Sequence, residues 1–155
     1  MKLSISKDLS ENDDLETLRE ILTSKHEVEL TFYDTSIDGK FEGSDVIPVD
    51  FEDRKMVHVL ALKLAVSKSC QASLFIPKHV TPLTGMVDEL LTPIVNDENI
   101  SATHSDYSVD GIQIIQNSPI AFCRRLEPGV ENQYDLQQTK GIVHYVPLSL
   151  YNVKS

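Results

Sequence analysis

The stretch 51–69, FEDRKMVHVLALKLAVSKS, decides the fold, because its apolar residues fit both a helix and a strand. They cover more than one helical face, and they also alternate in places. The length of the run, and Asp50 directly before it as an N-cap residue, favour a helix. Short apolar runs at 45–49 and 71–77 are typical of strands. The order strand, helix, strand predicts a βαβ-like unit.

Residues on the N-terminal side of this unit predict one helix between two strands. A short strand is predicted at 2–6. Apolar residues then repeat at helical spacing over 12–24, with Ser10 or Asn12 as the N-cap. The run 26–34, HEVELTFYD, alternates apolar and polar residues, which predicts a half-buried strand with an acidic outer face.

Residues on the C-terminal side predict one more helix, followed by mostly strands. Thr81 as N-cap and Pro82 at the first helical position predict a helix over 81–95. The remaining pattern predicts strands at 119–126 and 142–151, separated by a polar loop at 127–141 that is either mobile or a binding loop.

Two dipeptides, Asp38-Gly39 and Asp110-Gly111, carry the sequence signal of a tight β-hairpin. With the helices and strands above, they predict an α+β fold. We expect a single globular domain over 1–155, with a mixed or mostly antiparallel sheet and about three helices.

Acidic residues are concentrated in the first third of the chain. The net charge is −10, and residues 1–53 carry fifteen of the 24 acids but only five of the 14 bases. Phosphate recognition needs a basic footprint, so direct nucleic-acid binding is not expected. No apolar run is long enough to span a membrane and no signal peptide is recognisable, so we expect a cytoplasmic protein without membrane contact. Cys70 and Cys123 predict reduced core thiols rather than a disulfide or a zinc site.

The acidic first third favours a non-enzymatic function. We expect a small regulator, inhibitor or immunity-type factor that binds a basic protein partner. Glu27 and Glu29, on the outer face of the strand at 26–34, and Asp34 at its end are the candidate partner-binding residues.

The turn at Lys78, His79 and Thr81 is the alternative site, because it follows a strand where ligands of α/β units gather. It predicts a phosphate-binding or phosphoesterase-like function, with Arg124 and Arg125 as further ligand-binding candidates and His144 as a third weak catalytic candidate beside His79 and Thr81. The His-Val-Thr element at 79–81 resembles one H-x-T element of the two-histidine phosphoesterases. His104 and His144 do not supply the second element, so the sequence does not predict membership of that family.

A third possibility is a homo-oligomeric structural or assembly protein that closes through the apolar strand at 142–151. No nucleotide-binding loop, paired-cysteine motif or metal-ligand spacing of histidines is present, so the sequence predicts neither a cofactor nor a metal. It leaves open whether the protein is an enzyme and favours the answer that it is not.

Overall fold

The computed structural model describes residues 1–127 and 141–154. The elements are β1 Lys2–Asp8, α1 Leu15–Ile21, β2 Glu27–Asp34, β3 Val46–Pro48, a 3₁₀ helix Phe51–Met56, α2 Val57–Ser67, β4 Ala72–Ile76, β5 Val80–Pro82, α3 Met86–Asn96, β6 Ile100–Val109, β7 Ile112–Ile114, β8 Phe122–Arg125 and β9 Ile142–Val153. The predicted α+β class is confirmed, with three α-helices and one mixed sheet in the described ranges. No helix there is long and apolar enough to cross a membrane. Most of the predicted loop at 127–141 lies outside the described residues.

The sheet has the strand order β3-β2-β1-β4-β8-β6-β9-β5, and β7 pairs with β6 beside this path. The first four strands are all parallel. From β4 onward the directions are mixed: β8 is antiparallel to both β4 and β6, β9 is parallel to β6, and β5 is antiparallel to β9. The chain therefore builds a parallel half from its first half and a mixed half from the remainder.

The stretch that follows Asp50 is helical, as predicted. It begins as the 3₁₀ helix and continues as α2, although the side chain of Asp50 forms no capping hydrogen bond. The strands on either side of this helical stretch are β3 and β4. They lie in the same sheet, separated by β2 and β1, and all four strands are parallel, which confirms the βαβ-like unit. Ala61 and Ala65 of α2 are fully buried, so the helix packs closely on the sheet.

The helices cover both faces of the parallel half. Leu3 and Ile5 of β1 belong to the core cluster that contains Leu18 of α1 and Leu90 of α3. Tyr33 of β2, on the other face, clusters with residues of α2. Side chains alternate along each strand, so α1 and α3 share one face and α2 lies on the opposite face. The crossover from β1 to β2 and the crossover from β3 to β4 thus run in opposite directions on opposite faces.

The hairpin predicted at Asp38-Gly39 is wrong, whereas the one at Asp110-Gly111 is confirmed. Asp110 and Gly111 have φ of 49° and 85° and join the antiparallel strands β6 and β7. Gly39 has φ 57°, but β2 and β3 are parallel. The carboxylate of Asp34 accepts hydrogen bonds from the Ser36 and Phe41 backbone N–H groups at 2.9 and 3.1 Å, and it thereby folds the connection back along the sheet.

Two predicted helix starts are also wrong. Thr81 lies in the middle of β5, opposite Asn152 of β9, and α3 begins only after Gly85, which has φ 91°. In α1 the N-cap is Asp14 rather than Ser10 or Asn12, since the Asp14 carboxylate accepts a hydrogen bond from the Glu16 N–H.

The two end strands of the sheet, β3 and β5, have the same pattern, Val-x-Pro. In β3 the residues on either side of Val46 form the backbone hydrogen bonds with β2, so the Val46 N–H points away from the sheet. This N–H donates to the Gly43 carbonyl at 3.1 Å. In β5 the Val80 N–H likewise donates to the Pro77 carbonyl at 3.1 Å. The third residue, Pro48 or Pro82, has no N–H. Neither end strand therefore offers a free outward N–H to another strand.

The apolar strand proposed as an oligomer edge, β9, pairs with β6 along its length, whereas β5 pairs only with its last three residues, Tyr151–Val153. Self-association through the remaining part of β9 stays a prediction. Cys70 and Cys123 are free and buried, which confirms that they behave as core thiols.

Candidate functional site

A cleft of about 850 Å³ opens at the carboxyl ends of the parallel strands. It is lined by residues that follow β1, β2 and β4, together with α1, the 3₁₀ helix and Lys154. The crossovers from β1 and from β3 run in opposite directions on opposite faces of the sheet, so the cleft lies where a doubly wound sheet has its topological switch point. Ligands of open α/β sheets bind in this position.

The base of the cleft is held by a buried lysine. The side chain of Lys7 is completely inaccessible, and its ammonium donates to the backbone carbonyls of Asp8, Pro77 and Lys78 at 2.7, 3.2 and 3.3 Å. It also forms an ion pair with Asp13 at 3.1 Å. Burial lowers the pKa of Lys7, and the charge of Asp13 offsets part of that effect. Lys7 thus ties the end of β1 to the turn after β4 and to the loop before α1.

The acidic residues on the α1 side of the cleft are already engaged within the protein. Asp13 binds Lys7 and also accepts a hydrogen bond from the Ser10 N–H at 2.8 Å. Asp14 caps α1 and accepts a hydrogen bond from the Thr17 hydroxyl at 2.8 Å. The other two acids of the lining, Glu11 and Asp38, lie exposed at its rim.

The cationic side chains of the cleft are Arg54, Lys78 and Lys154. Within the described part of the chain none of these three forms an ion pair, in contrast to Lys2, Lys7, Arg19 and Lys68. The Arg54 guanidinium lies 5.2 Å from the centre of the Phe51 ring, and its Nε is buried without a hydrogen-bond partner. Since none of these three cations is held in an ion pair, they can bind a negatively charged ligand, although Asp14, Glu11 and Asp38 keep their negative charges in the same lining.

Asp8, the last residue of β1, interacts electrostatically with Lys78, Lys7 and His79. Burial raises the pKa of its carboxyl, and the positive charges of Lys78 and Lys7 offset part of the shift. The Thr35 hydroxyl is 3.4 Å from its Oδ1. Asp8 therefore adds a negative charge beside Lys78 that a bound anion has to overcome.

Three of the predicted ligand-binding residues meet in this cleft, namely Lys78, His79 and Thr81. His79 and Thr81 are exposed, and the Lys154 N–H donates to the His79 carbonyl at 3.0 Å, which brings the two residues together. Thr81 reaches the cleft as part of an edge strand rather than as a helix cap.

The other predicted ligand-binding and catalytic residues lie elsewhere. Arg124 is 4% exposed and lines a separate cavity of about 40 Å³ together with His58 and Ser73. Arg125 points the other way, as the strand alternation predicts, and donates to the carbonyls of Ile94 and Asp97 at the end of α3. His144 is exposed on β9, away from the cleft lining.

The candidate partner-binding acids differ in their surroundings. Glu27 is exposed. Glu29 lies 3.4 Å from both Lys2 and Lys68, which lower the pKa of its carboxyl through hydrogen bonds and charge. Asp34 is 2% exposed; burial alone would raise the pKa of its carboxyl, but the hydrogen bonds from Ser36 and Phe41 outweigh it and lower the pKa. Binding of a basic partner through these residues stays a prediction, and this geometry does not favour it.

Sequence reasoning missed Lys7, Asp8, Arg54 and Lys154 as members of this site. For Lys7 a signal was present: it occupies the inward register of β1 after Leu3 and Ile5, where a charged residue needs a buried partner. For Lys154 there was no local signal, because the pairing of β9 with β5 places it.

A scan against protein-family models finds no matching family, and a search of the curated proteins finds no match to this chain. Among the described residues no group of three or more His, Cys, Asp or Glu side chains is placed to hold a metal ion.

Proposed function

We propose that this protein binds a small anionic ligand, a phosphate- or carboxylate-bearing molecule, in the cleft at the carboxyl ends of β1, β2 and β4. The observation that supports this proposal is the convergence of Arg54, Lys78 and Lys154 on one cleft, where none of them forms an ion pair with a carboxylate of the described residues. The acid nearest the buried lysine, Asp13, has its charge matched by Lys7. Hydrogen bonds between a cationic donor and an anion are about twice as strong as neutral ones.

Lys78 is the principal cation of the proposed site. It is the second residue after β4, and its backbone carbonyl accepts a hydrogen bond from the buried Lys7 ammonium at 3.3 Å. A side chain on an anchored backbone loses less conformational entropy when it binds a ligand than one on a loose loop. Arg54 and Lys154 approach from the 3₁₀ helix and from the end of β9, so the three cations come from separate parts of the chain.

The proposal is tested by isothermal titration calorimetry with inorganic phosphate and pyrophosphate as probes. We expect both to bind, pyrophosphate more tightly, with affinity that falls as salt is added. Lys78→Gln should weaken binding about tenfold, which corresponds to about 1.4 kcal/mol. Lys63→Gln is the matched control, because Lys63 is an exposed lysine of α2 outside the cleft.

Two results would contradict the proposal. One is the absence of heat with either probe at millimolar concentration. The other is equal affinity of the wild type, Lys78→Gln and Arg54→Gln, which would place any binding outside the cleft.

A further inference from the structure

The lining of the cleft contains apolar residues as well as the cations Arg54, Lys78 and Lys154. Four of them, which we call the apolar wall, are Leu18 and Ile21 of α1 and Ile37 and Phe41 of the connection between β2 and β3. A volume of about 850 Å³ falls within the range of sites that enclose a drug-sized molecule. A bare inorganic anion would leave the apolar wall in contact with water.

Ile37 is the most exposed residue of the apolar wall, at 85%. A lone exposed apolar side chain is common and by itself carries no meaning. Here its position is fixed from within, because the buried carboxylate of Asp34 accepts hydrogen bonds from Ser36 and Phe41, on either side of Ile37. The connection thus holds an apolar side chain at a cleft that also contains three cations without carboxylate partners.

We propose that the ligand is an amphipathic organic anion, with one phosphate or carboxylate group and an apolar body of aromatic or branched aliphatic carbon. This inference rests on the proposed function and names the class of ligand for the same cleft. The charged group binds Lys78, and the apolar body covers Ile37 and Phe41. Burial of the apolar body removes its surface and that of the wall from water, which adds affinity that a bare anion does not gain.

Calorimetry with inorganic phosphate and 1-naphthyl phosphate compares the same charged group with and without an apolar body. We expect 1-naphthyl phosphate to bind the wild type at least about tenfold more tightly. Ile37→Ser should reduce that affinity about fivefold and leave the affinity for inorganic phosphate unchanged. Ile112→Ser is the matched control, because Ile112 is also strongly exposed, at 69%, but lies in β7 outside the cleft lining. Lys78→Gln should weaken the binding of both probes.

The outcomes separate the two proposals. Equal affinity for the two probes, or tighter binding of 1-naphthyl phosphate that Ile37→Ser and Phe41→Ala leave unchanged, overturns the amphipathic ligand while the anion site stands. Failure of both probes to bind, or no effect of Lys78→Gln on either, overturns the anion site and this inference with it. Ile37→Ser is expected to fold, because the isoleucine side chain buries little surface; circular dichroism and the urea midpoint check this.

Discussion

Lys7→Met tests the view that a buried ammonium holds the base of the cleft. The substitution keeps an unbranched apolar stem and removes the charge, so packing changes little. It leaves the Asp13 carboxylate without its ion-pair partner and three backbone carbonyls without the ammonium donor. The loss is therefore electrostatic rather than steric.

Removal of one partner from a buried ion pair costs about 3–5 kcal/mol. The Asp13 side chain keeps 12% exposure and the hydrogen bond from Ser10, which places the expected loss at the lower end, about 3 kcal/mol. Typical domains unfold with about 5–15 kcal/mol, so this change is a large fraction of the total.

Urea denaturation at pH 7 measures the loss, and Lys63→Met provides the control, with an expected change below about 0.5 kcal/mol. In the double variant Lys7→Met with Asp13→Asn, removal of the uncompensated carboxylate should recover about 1 kcal/mol. The lowered pKa of Lys7 also predicts the direction in which the free energy of unfolding changes with pH. Between the folded pKa and the ordinary 10.5 the unfolded chain binds more protons, so the stability of the wild type relative to Lys7→Met should rise with pH in that range.

A loss below about 1 kcal/mol for Lys7→Met, with an unchanged urea m-value, would refute the reasoning. Such a result would mean that a water molecule donates hydrogen bonds to the three carbonyls and to the Asp13 carboxylate in place of the Lys7 ammonium. Additive effects in the double variant would show independently that the ion pair with Asp13 contributes nothing specific.

Three further predictions concern pH, ligand affinity and the sheet edges. Burial lowers the pKa of His58 to about 4, so the stability of the wild type should fall by up to about 3 kcal/mol between pH 6.5 and pH 4, whereas that of His58→Asn should vary less; urea titrations at several pH values decide this. Asp8→Asn should raise the affinity for inorganic phosphate at pH 8 about threefold, because it removes a negative charge beside Lys78; calorimetry showing no gain would exclude that effect. Pro48→Thr combined with Pro82→Thr restores one outward N–H on each end strand and should increase self-association in size-exclusion light scattering, and an unchanged mass up to millimolar concentration would argue against edge blocking.

Local sequence patterns predicted the structure correctly in segments whose conformation depends on residues that are adjacent in sequence. Asp110-Gly111 forms its hairpin because the dipeptide sets both positive φ angles and the strands meet directly. The same chemistry at Asp38-Gly39 gives a left-handed glycine but says nothing of the direction of the next strand. In the structure the carboxylate of Asp34 holds the connection through hydrogen bonds from Ser36 and Phe41, and β3 then runs parallel to β2.

Local sequence patterns gave wrong predictions where a segment pairs with residues that are distant in sequence. Thr81 and Pro82 have the composition of a helix start, but hydrogen bonds with β9 at the other end of the chain hold them as a strand. The position of the candidate site, beyond the strand that ends at Ile76, was predictable from the order of elements. Its charge balance was not, because it depends on which acids find internal partners.

The blocked edge of β5 has a consequence for the order in which the chain folds. Strands β1 to β4 pair with one another, so the parallel half of the sheet needs only residues 2–76. Strand β5 leaves the ribosome long before β9, its partner in the sheet. Val80 and Pro82 leave it with only one edge that can pair, so another strand can bind it only on the side that β9 later occupies. Docking of β9 between β6 and β5 brings Lys154 to His79, so the three cations of the cleft come together only once β9 has joined the sheet.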